Sequence, residues 1–237
     1  MSGVLGQVLG IVPARAGSKR LPRKNVRPLA GKPLAAWVIE TALASRCLDR
    51  VIVSSDDPEV LAIAAGFRAD LALERPAELA DDTAPAIAYV HHALEVLERR
   101  GEGPFGATVI LQPSSPLTLP EDVDATIELL AASGADSAVT VVRVDHAVHP
   151  VKLKTMTDDR LLPYLEDEAG RMAAHELPEV FVRNCAVYAT RRAVIDAGSV
   201  LGEDSRGLVM PRERSVDIND ALDLSFAEFL VSRGTPR

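Results

Sequence analysis

The sequence predicts an α/β fold, a mostly parallel sheet covered by helices on both faces. Short apolar runs rich in β-branched residues alternate with longer runs of helical period. The residues directly after the first three apolar runs are polar, as expected where strands of a parallel sheet open onto loops. The 237-residue chain is 47% hydrophobic but only 4% aromatic, which points to a core of Val, Ile, Leu and Ala.

Residues 8–13 (VLGIVP) are too short for a helix and read as a buried strand. Residues 33–45 (PLAAWVIETALAS) carry the helical period. Residues 50–54 (RVIVS) form a second strand, and 57–65 a helix whose acidic first turn suits the macrodipole. Residues 83–100 read as a long helix, 107–111 (ATVIL) as a third strand, 121–132 as a helix and 136–144 (DSAVTVVRV) as another strand. This order gives right-handed βαβ units and a Rossmann-like core. From about 140 to 190 the pattern loosens. Residues 151–154, 161–164 and 180–189 (VFVRNCAVYA) read as shorter, partly exposed strands of a small β-rich arm. The chain reads as one domain, 1–237, with 140–190 inserted.

The net charge of −8 and pI near 5.2 exclude a broad basic face for nucleic acid. No apolar run approaches the ~20 residues needed to span a bilayer. The first residues lack the pattern of a signal peptide. Two cysteines are too few for a disulfide framework. The expectation is a cytoplasmic protein.

Against this acidic background, residues 11–32 (IVPARAGSKRLPRKNVRPLAGK) carry seven cations and no acid. The stretch is not a P-loop, because Pro33 follows Gly31-Lys32 and Val26 stands where the first glycine belongs. A formal G-x-G-x-x-G at Gly101, Gly103 and Gly106 precedes a strand and is interrupted by Pro104, so it is set aside. What remains is a strand followed by a small-residue turn carrying Arg15, Lys19 and Lys24, which suits a polyphosphate. The alternative is a solvated basic loop or docking patch.

These residues resemble a known family. Residues 14–25 (ARxGSKxLxxKN) are similar to the signature loop of the CMP-sialic acid synthetases (acylneuraminate cytidylyltransferases). GKPL at 31–34, SSDD at 54–57, RPxxLAxDT at 75–83 and QPSSPL at 112–117 follow in the family's order, then Leu177-Pro178, Asn184 and Ser215-x-Asp217-Ile218. The related 3-deoxy-manno-octulosonate enzymes carry QGDEP where this chain has QPSSP, which sets it apart from that branch.

The resemblance implies a nucleotide-diphospho-sugar transferase type of fold, with the arm exchanging contacts in a homodimer. It implies CMP transfer from CTP to an acidic acceptor with release of pyrophosphate, by direct attack and without a covalent enzyme intermediate. Arg15, Gly17, Ser18, Lys19 and Lys24 are implied at the triphosphate. Asn25, Arg75, Asp82, Gln112 and Ser114 are implied elsewhere around the nucleotide. Strand-end capping is the other reading of Gln112 and Ser114. Mg²⁺ (or Mn²⁺) is implied at Asp217, with residue 219 second; the two alternate on one face of an extended segment, from which Asp220 points the other way if the strand continues. Many relatives have Asp at 219 where this chain has Asn219.

The acceptor side departs from the family. Thr118 replaces an Arg, Ala174 replaces another, and the usual Asn-Gly pair is Asn184-Cys185. A bidentate Arg is the natural partner of a substrate carboxylate. Arg183 and Arg171 are the substitutes, or else surface arginines, and Asn184 completes the acceptor set. The expected acceptor is a nonulosonic acid of the sialic, legionaminic or pseudaminic kind. The alternatives are a small phosphonate and, from a different class, a non-catalytic nucleotide-binding protein. Asp145, His146, His149 and His175 match no zinc spacing, His91-His92 reads as helix packing, and Cys185 lacks the basic surroundings of a nucleophile.

Overall fold

The computed structural model describes residues 2–165 and 177–234. In chain order the elements are α1 (Ser2–Leu5), β1 (Gln7–Pro13), β2 (Pro28–Leu29), β3 (Lys32–Pro33), α2 (Leu34–Ala44), β4 (Arg50–Ser55), α3 (Pro58–Phe67), β5 (Ala72–Glu74), α4 (Ala86–Arg99) and β6 (Phe105–Leu111). They continue with α5 (Pro120–Ser133), β7 (Ser137–Arg143), β8 (Lys154–Thr157), β9 (Arg160–Pro163), β10 (Phe181–Arg191), α6 (Arg192–Asp196), β11 (Ser205–Val209) and α7 (Ala221–Ser232).

Seven strands form one sheet in the order β11-β7-β10-β6-β1-β4-β5. All neighbours pair parallel except β10, which runs antiparallel to both β6 and β7. The carboxyl ends of β1, β4, β6 and β7 therefore share one edge.

Side chains of β1 alternate between two cores, as the pleat requires. Val8 and Val12 enter a cluster with α2, α3 and α5, whereas Leu9 and Ile11 enter one with α4 and α6. A strand buried on both faces has to be apolar at every position, which is why β1, β4 and β6 are legible as continuous runs. A third cluster joins Leu21, Leu29, Trp37, Leu117, Val216, Ile218 and Ala227, so α7 packs beneath the basic loop. No described helix is long and apolar enough to cross a membrane.

Three sequence expectations are corrected. Residues 180–189 do not belong to a projecting arm: β10 lies inside the main sheet, between β6 and β7. Its first residues, Phe181 to Arg183, are exposed, while Ala186, Val187 and Ala189 are buried. Residues 151–153 are not a strand, which begins only at Lys154. A 3-10 turn spans Pro150–Lys152, capped by the His149 ring, which accepts from the Val151 amide at 3.3 Å. The extended path past Asp217 stops at Asp220, which N-caps α7. Its carboxylate accepts from the amides of Leu222 (2.9 Å) and Asp223 (3.0 Å), and Asp223 accepts from the Asp220 amide in return (3.2 Å). The projecting part of 140–190 is the antiparallel β8–β9 hairpin, exposed along its whole length.

Cys185 has φ 62°, the left-handed region, where the ladder between β10 and β7 breaks register. A side chain there costs roughly 1–2 kcal/mol, which accounts for the glycine that the resemblance places at this position. Cys185→Gly relieves that strain and adds unfolded-chain entropy of about half that size. We expect the melting temperature to rise by about 1–3 °C. A fall would show that the thiol's packing outweighs the backbone term.

Candidate active site

The site is built on the shared carboxyl edge. β1 delivers the basic loop, and backbone bonds fix its start: the Ala14 amide donates to the Ser54 carbonyl (3.0 Å) and the Ala16 amide to Asp56 Oδ1 (2.9 Å). Asn25, buried, donates from Nδ2 to the Arg15 carbonyl at 2.8 Å and so ties the two ends of the loop together. Lys24 Nζ donates to the Ile218 carbonyl at 2.9 Å, and Arg20 Nη2 to Asn219 Oδ1 at 2.7 Å. The loop is thus clamped by residues nearly two hundred positions away.

The loop forms one wall of a cleft of about 580 Å³. Of the sequence-predicted nucleotide residues, Arg15, Ser18, Lys19, Lys24, Asn25, Arg75, Asp82, Gln112 and Ser114 all line it, as does Asn219. Gly17 lies between the lining residues Arg15 and Ser18. A Cβ built on it meets no atom within 4 Å and its φ is not left-handed, so the surrounding fold does not require glycine there.

Asp82 forms ion pairs with Arg15, at 2.7 Å, and with Lys19. These bonds, from Lys19 first and Arg15 second, hold the Asp82 carboxyl below its ordinary range, and the same bond raises Lys19. Lys24 is pushed the other way. Burial lowers its pKa, and the charge of Asp217 opposes that shift.

Deeper in, Arg75 is 4% exposed and donates from Nε to Ser54 Oγ (3.0 Å) and from Nη2 to the Ser54 carbonyl (2.8 Å). Burial lowers its pKa. Its guanidinium lies 4.5 Å from the ring centroid of Tyr89. Tyr89, Arg20, Leu79, Ala84 and Ala86 also line the cleft and escaped the sequence reading. Tyr89 is one apolar position of the amphipathic α4, where nothing separates a pocket wall from ordinary core.

At the cleft mouth the Ile218 amide donates to the Ser114 carbonyl at 2.8 Å, which attaches the 215–219 segment to the end of β6. Asn219 Nδ2 donates to Asp217 Oδ2 at 2.9 Å, so the two side chains face each other. They offer one carboxylate and one amide oxygen. No group of three His, Cys, Asp or Glu that could hold a metal ion exists among the described residues. This donor set fits a cation that draws its remaining ligands from phosphate oxygens and water, as Mg²⁺ does.

The acceptor candidates are more dispersed. Asn184 is 5% exposed, and its amide donates to Ser215 Oγ (2.9 Å) and to Met210 Sδ (3.2 Å), which anchors the segment leading to Asp217. Arg183 is exposed on β10, and its charge and that of Asp217 both reach Tyr188. Arg171 lies outside the described residues, as do Ala174 and His175.

Residues 9–204 match the family model described as cytidylyltransferase. The chain belongs to the cytidylyltransferase family. This cytidylyltransferase is 30% identical to CMP-N,N'-diacetyllegionaminic acid synthase of Legionella pneumophila, over 95% of this chain and 96% of that protein. It is 29% identical to pseudaminic acid cytidylyltransferase of Campylobacter jejuni, over 94% and 95%. The solved structure of CMP:2-keto-3-deoxy-manno-octonic acid synthetase with CTP superposes with a TM-score of 0.69 at 20% identity, covering 96% of this chain and 99% of that one. That likeness shows the α/β fold. The family identifies a CTP-dependent nucleotidyltransferase, an enzyme and not a binding protein that merely keeps the fold.

Proposed function

We propose that this enzyme transfers CMP from CTP to the anomeric hydroxyl of a nonulosonic acid and releases pyrophosphate. The observation that carries the nucleotide half is the convergence of Arg15, Lys19 and Lys24 on one cleft, beside a glycine that the local fold does not require. A triphosphate exchanges with Asp82 for the donors of Arg15 and Lys19, and Gly17 leaves room for its approach. Lys24, anchored on the Ile218 carbonyl, lies between the loop and Asp217, whose charge opposes the burial that lowers its pKa. Gln112 and Ser114 face the nucleoside from the end of β6, and Arg75 faces the base.

Asp217 and Asn219 would hold a Mg²⁺ ion together with phosphate oxygens. Such an ion offsets charge on the phosphates and favours the departure of pyrophosphate. The acceptor oxygen attacks the α-phosphorus, the bond to the β-phosphate oxygen breaks, and the hydroxyl proton leaves to solvent. Arg183, whose charge acts on Tyr188 as that of Asp217 does, is the proposed partner of the acceptor carboxylate. The names of the similar proteins favour a legionaminic- or pseudaminic-type acid over a small phosphonate.

The exposed apolar side chains of the β8–β9 hairpin, Met156, Leu161 and Tyr164, with Phe181 and Val182 nearby in β10, support a homodimer built on this hairpin. Two unpaired cysteines suit a reducing, cytoplasmic setting.

The test is pyrophosphate release with Mg²⁺, each of the four nucleoside triphosphates, and a panel of nonulosonic acids and small phosphonates. Turnover with CTP and one nonulosonate is expected, from a preparation whose native mass equals two chains. Turnover with a phosphonate alone would replace the acceptor half of the proposal, and a monomeric mass would remove the dimer.

A further inference from the structure

The segment that carries Asp217 is tied to its surroundings on either side of that residue. Met210, Val216 and Ile218 are buried, so the core holds the segment in place, and alternation puts Asp217 and Asn219 on the opposite side. One residue after Asp217, the Ile218 amide donates to the Ser114 carbonyl at 2.8 Å. Three residues before it, Arg214 closes a fork on Asp122, with Nη2 donating to Oδ1 at 2.6 Å and Nε to Oδ2 at 3.2 Å. The fork is largely withdrawn from solvent, its two side chains 18% and 9% exposed. Asp122 belongs to α5 and Ser114 to the loop that enters α5. Both ties therefore run to one piece of chain, the piece that presents Gln112 and Ser114 to the cleft.

The fold does not need Arg214 in order to satisfy Asp122. That carboxylate caps α5, accepting from the Leu119 amide at 2.9 Å, and stands in the first turn, where the macrodipole favours negative charge. An ion pair so far from solvent adds little net stability, because desolvation offsets much of the attraction; fixing one arrangement among several is its best-attested use. A planar guanidinium held at two points sets rotation as well as distance. The remaining tie, from Asn184 to Ser215 Oγ, is a single bond and leaves rotation free. Mg²⁺ takes its oxygen ligands at about 2.0–2.1 Å in near-octahedral geometry, so a carboxylate that shares the ion with phosphates has to stand at a set height and angle.

We propose that Arg214 is a positioning residue for CMP transfer: through its fork on Asp122 it holds Asp217 where that carboxylate meets a cation on the triphosphate. The proposal rests on the reading of Asp217 as the Mg²⁺ ligand. Arg214 does not line the cleft and acts only through the segment that it orients. Outer groups that orient a metal ligand are typically worth about 10- to 100-fold in metal affinity or activity.

The experiment uses two variants. Arg214→Met keeps the apolar stem and removes the fork, and Arg214→Lys keeps the charge with a single contact. The first readout is CTP affinity with and without Mg²⁺, by calorimetry and without acceptor, since the tightening that Mg²⁺ brings reports the ion's bond to the protein. Arg214→Met is expected to lose about tenfold of that tightening and Arg214→Lys about threefold, with metal-free CTP affinity within about twofold of wild type. The second readout is amide exchange in the metal-free protein. The Ile218 amide is expected to exchange about tenfold faster in Arg214→Met, while Ile11 and Val109 in the central strands keep their rates. Unchanged tightening in both variants would overturn the proposal. Exchange that rises equally at Ile218, Ile11 and Val109 would overturn it too, by showing a general loss of stability in place of a local one. If Arg214→Met fails to fold, Arg214→Lys decides alone, and wild-type tightening in it overturns the proposal. Failure of the Mg²⁺ reading is a separate result: wild type whose CTP affinity ignores Mg²⁺, or Asp217→Asn that keeps the full tightening.

Discussion

Asp217→Asn is expected to reduce turnover with CTP by about 10²-fold or more, while CTP binding measured without divalent cation changes by about twofold at most. The argument starts from the donor set. Asp217 contributes the one carboxylate, beside Asn219, which lines the cleft and contributes no charge. A metal bound mainly by phosphates and water loses its anchor when that single carboxylate is neutralised, and metal assistance in phosphoryl transfer is worth several kcal/mol. The same geometry sets the sign for Asn219→Asp. Two carboxylates would face each other where an amide now donates at 2.9 Å, so the metal-free protein should lose stability and Mg²⁺ should bind more tightly. Arg20, which now donates to Asn219, would offset part of the repulsion. Kinetics across a Mg²⁺ titration check both variants. Full activity in Asp217→Asn would remove that residue from the site.

The second large effect is on nucleotide binding, and two variants should move it in opposite directions. Arg15→Ala removes a charged donor from the cradle and should weaken CTP binding about 10- to 100-fold, the worth of a charge-assisted hydrogen bond. The salt dependence should flatten in parallel. Asp82→Asn removes the internal anion that occupies Arg15 and Lys19. Because these pairs are solvent-exposed and screened, CTP should bind up to about fivefold more tightly. Calorimetric titration at two ionic strengths reads both. Weaker binding in Asp82→Asn would mean that the carboxylate positions the cations more than it competes for them.

Much of this was legible in the residues. β1, β4 and β6 announce themselves because burial on both faces demands continuous apolar runs, and their carboxyl ends marked the basic loop, Ser54–Asp57 and Gln112–Ser115 as one edge. β10 was misread because Arg183-Asn184-Cys185 interrupts its apolar run and its beginning is exposed, although its second half is core. β11, with Arg206 and Gly207 at its centre, has no apolar signature: it is an edge strand, paired with β7 and flanked by α5, and mostly exposed. α7 carried a signal that went unused, the Asp220–Asp223 capping box. The acid cluster before it read as one extended strand because periodicity cannot distinguish a carboxylate that binds a metal from one that caps a helix. Tyr89 was invisible for a similar reason: its place in the cleft wall is a property of three-dimensional surroundings, and its position in α4 obeys the helical pattern. Asp82 as the partner of Arg15 and Lys19 depends on a turn, at Asp81–Thr83, that no short motif specifies.

The clamp between the basic loop and the 216–219 segment has a consequence for how the enzyme comes into being. Lys24 bonds to the Ile218 carbonyl and Arg20 to Asn219, and Val216, Ile218 and Ala227 supply the apolar floor under Leu21 and Leu29. The loop leaves the ribosome early, but what supports it emerges only after almost two hundred further residues. At about 5–20 residues per second, that is a wait of ten seconds or more. During that interval the growing chain carries its cations on an unsupported loop, and nucleotide has nothing finished to hold. Tight capture of nucleotide therefore reports that synthesis has passed Ala227.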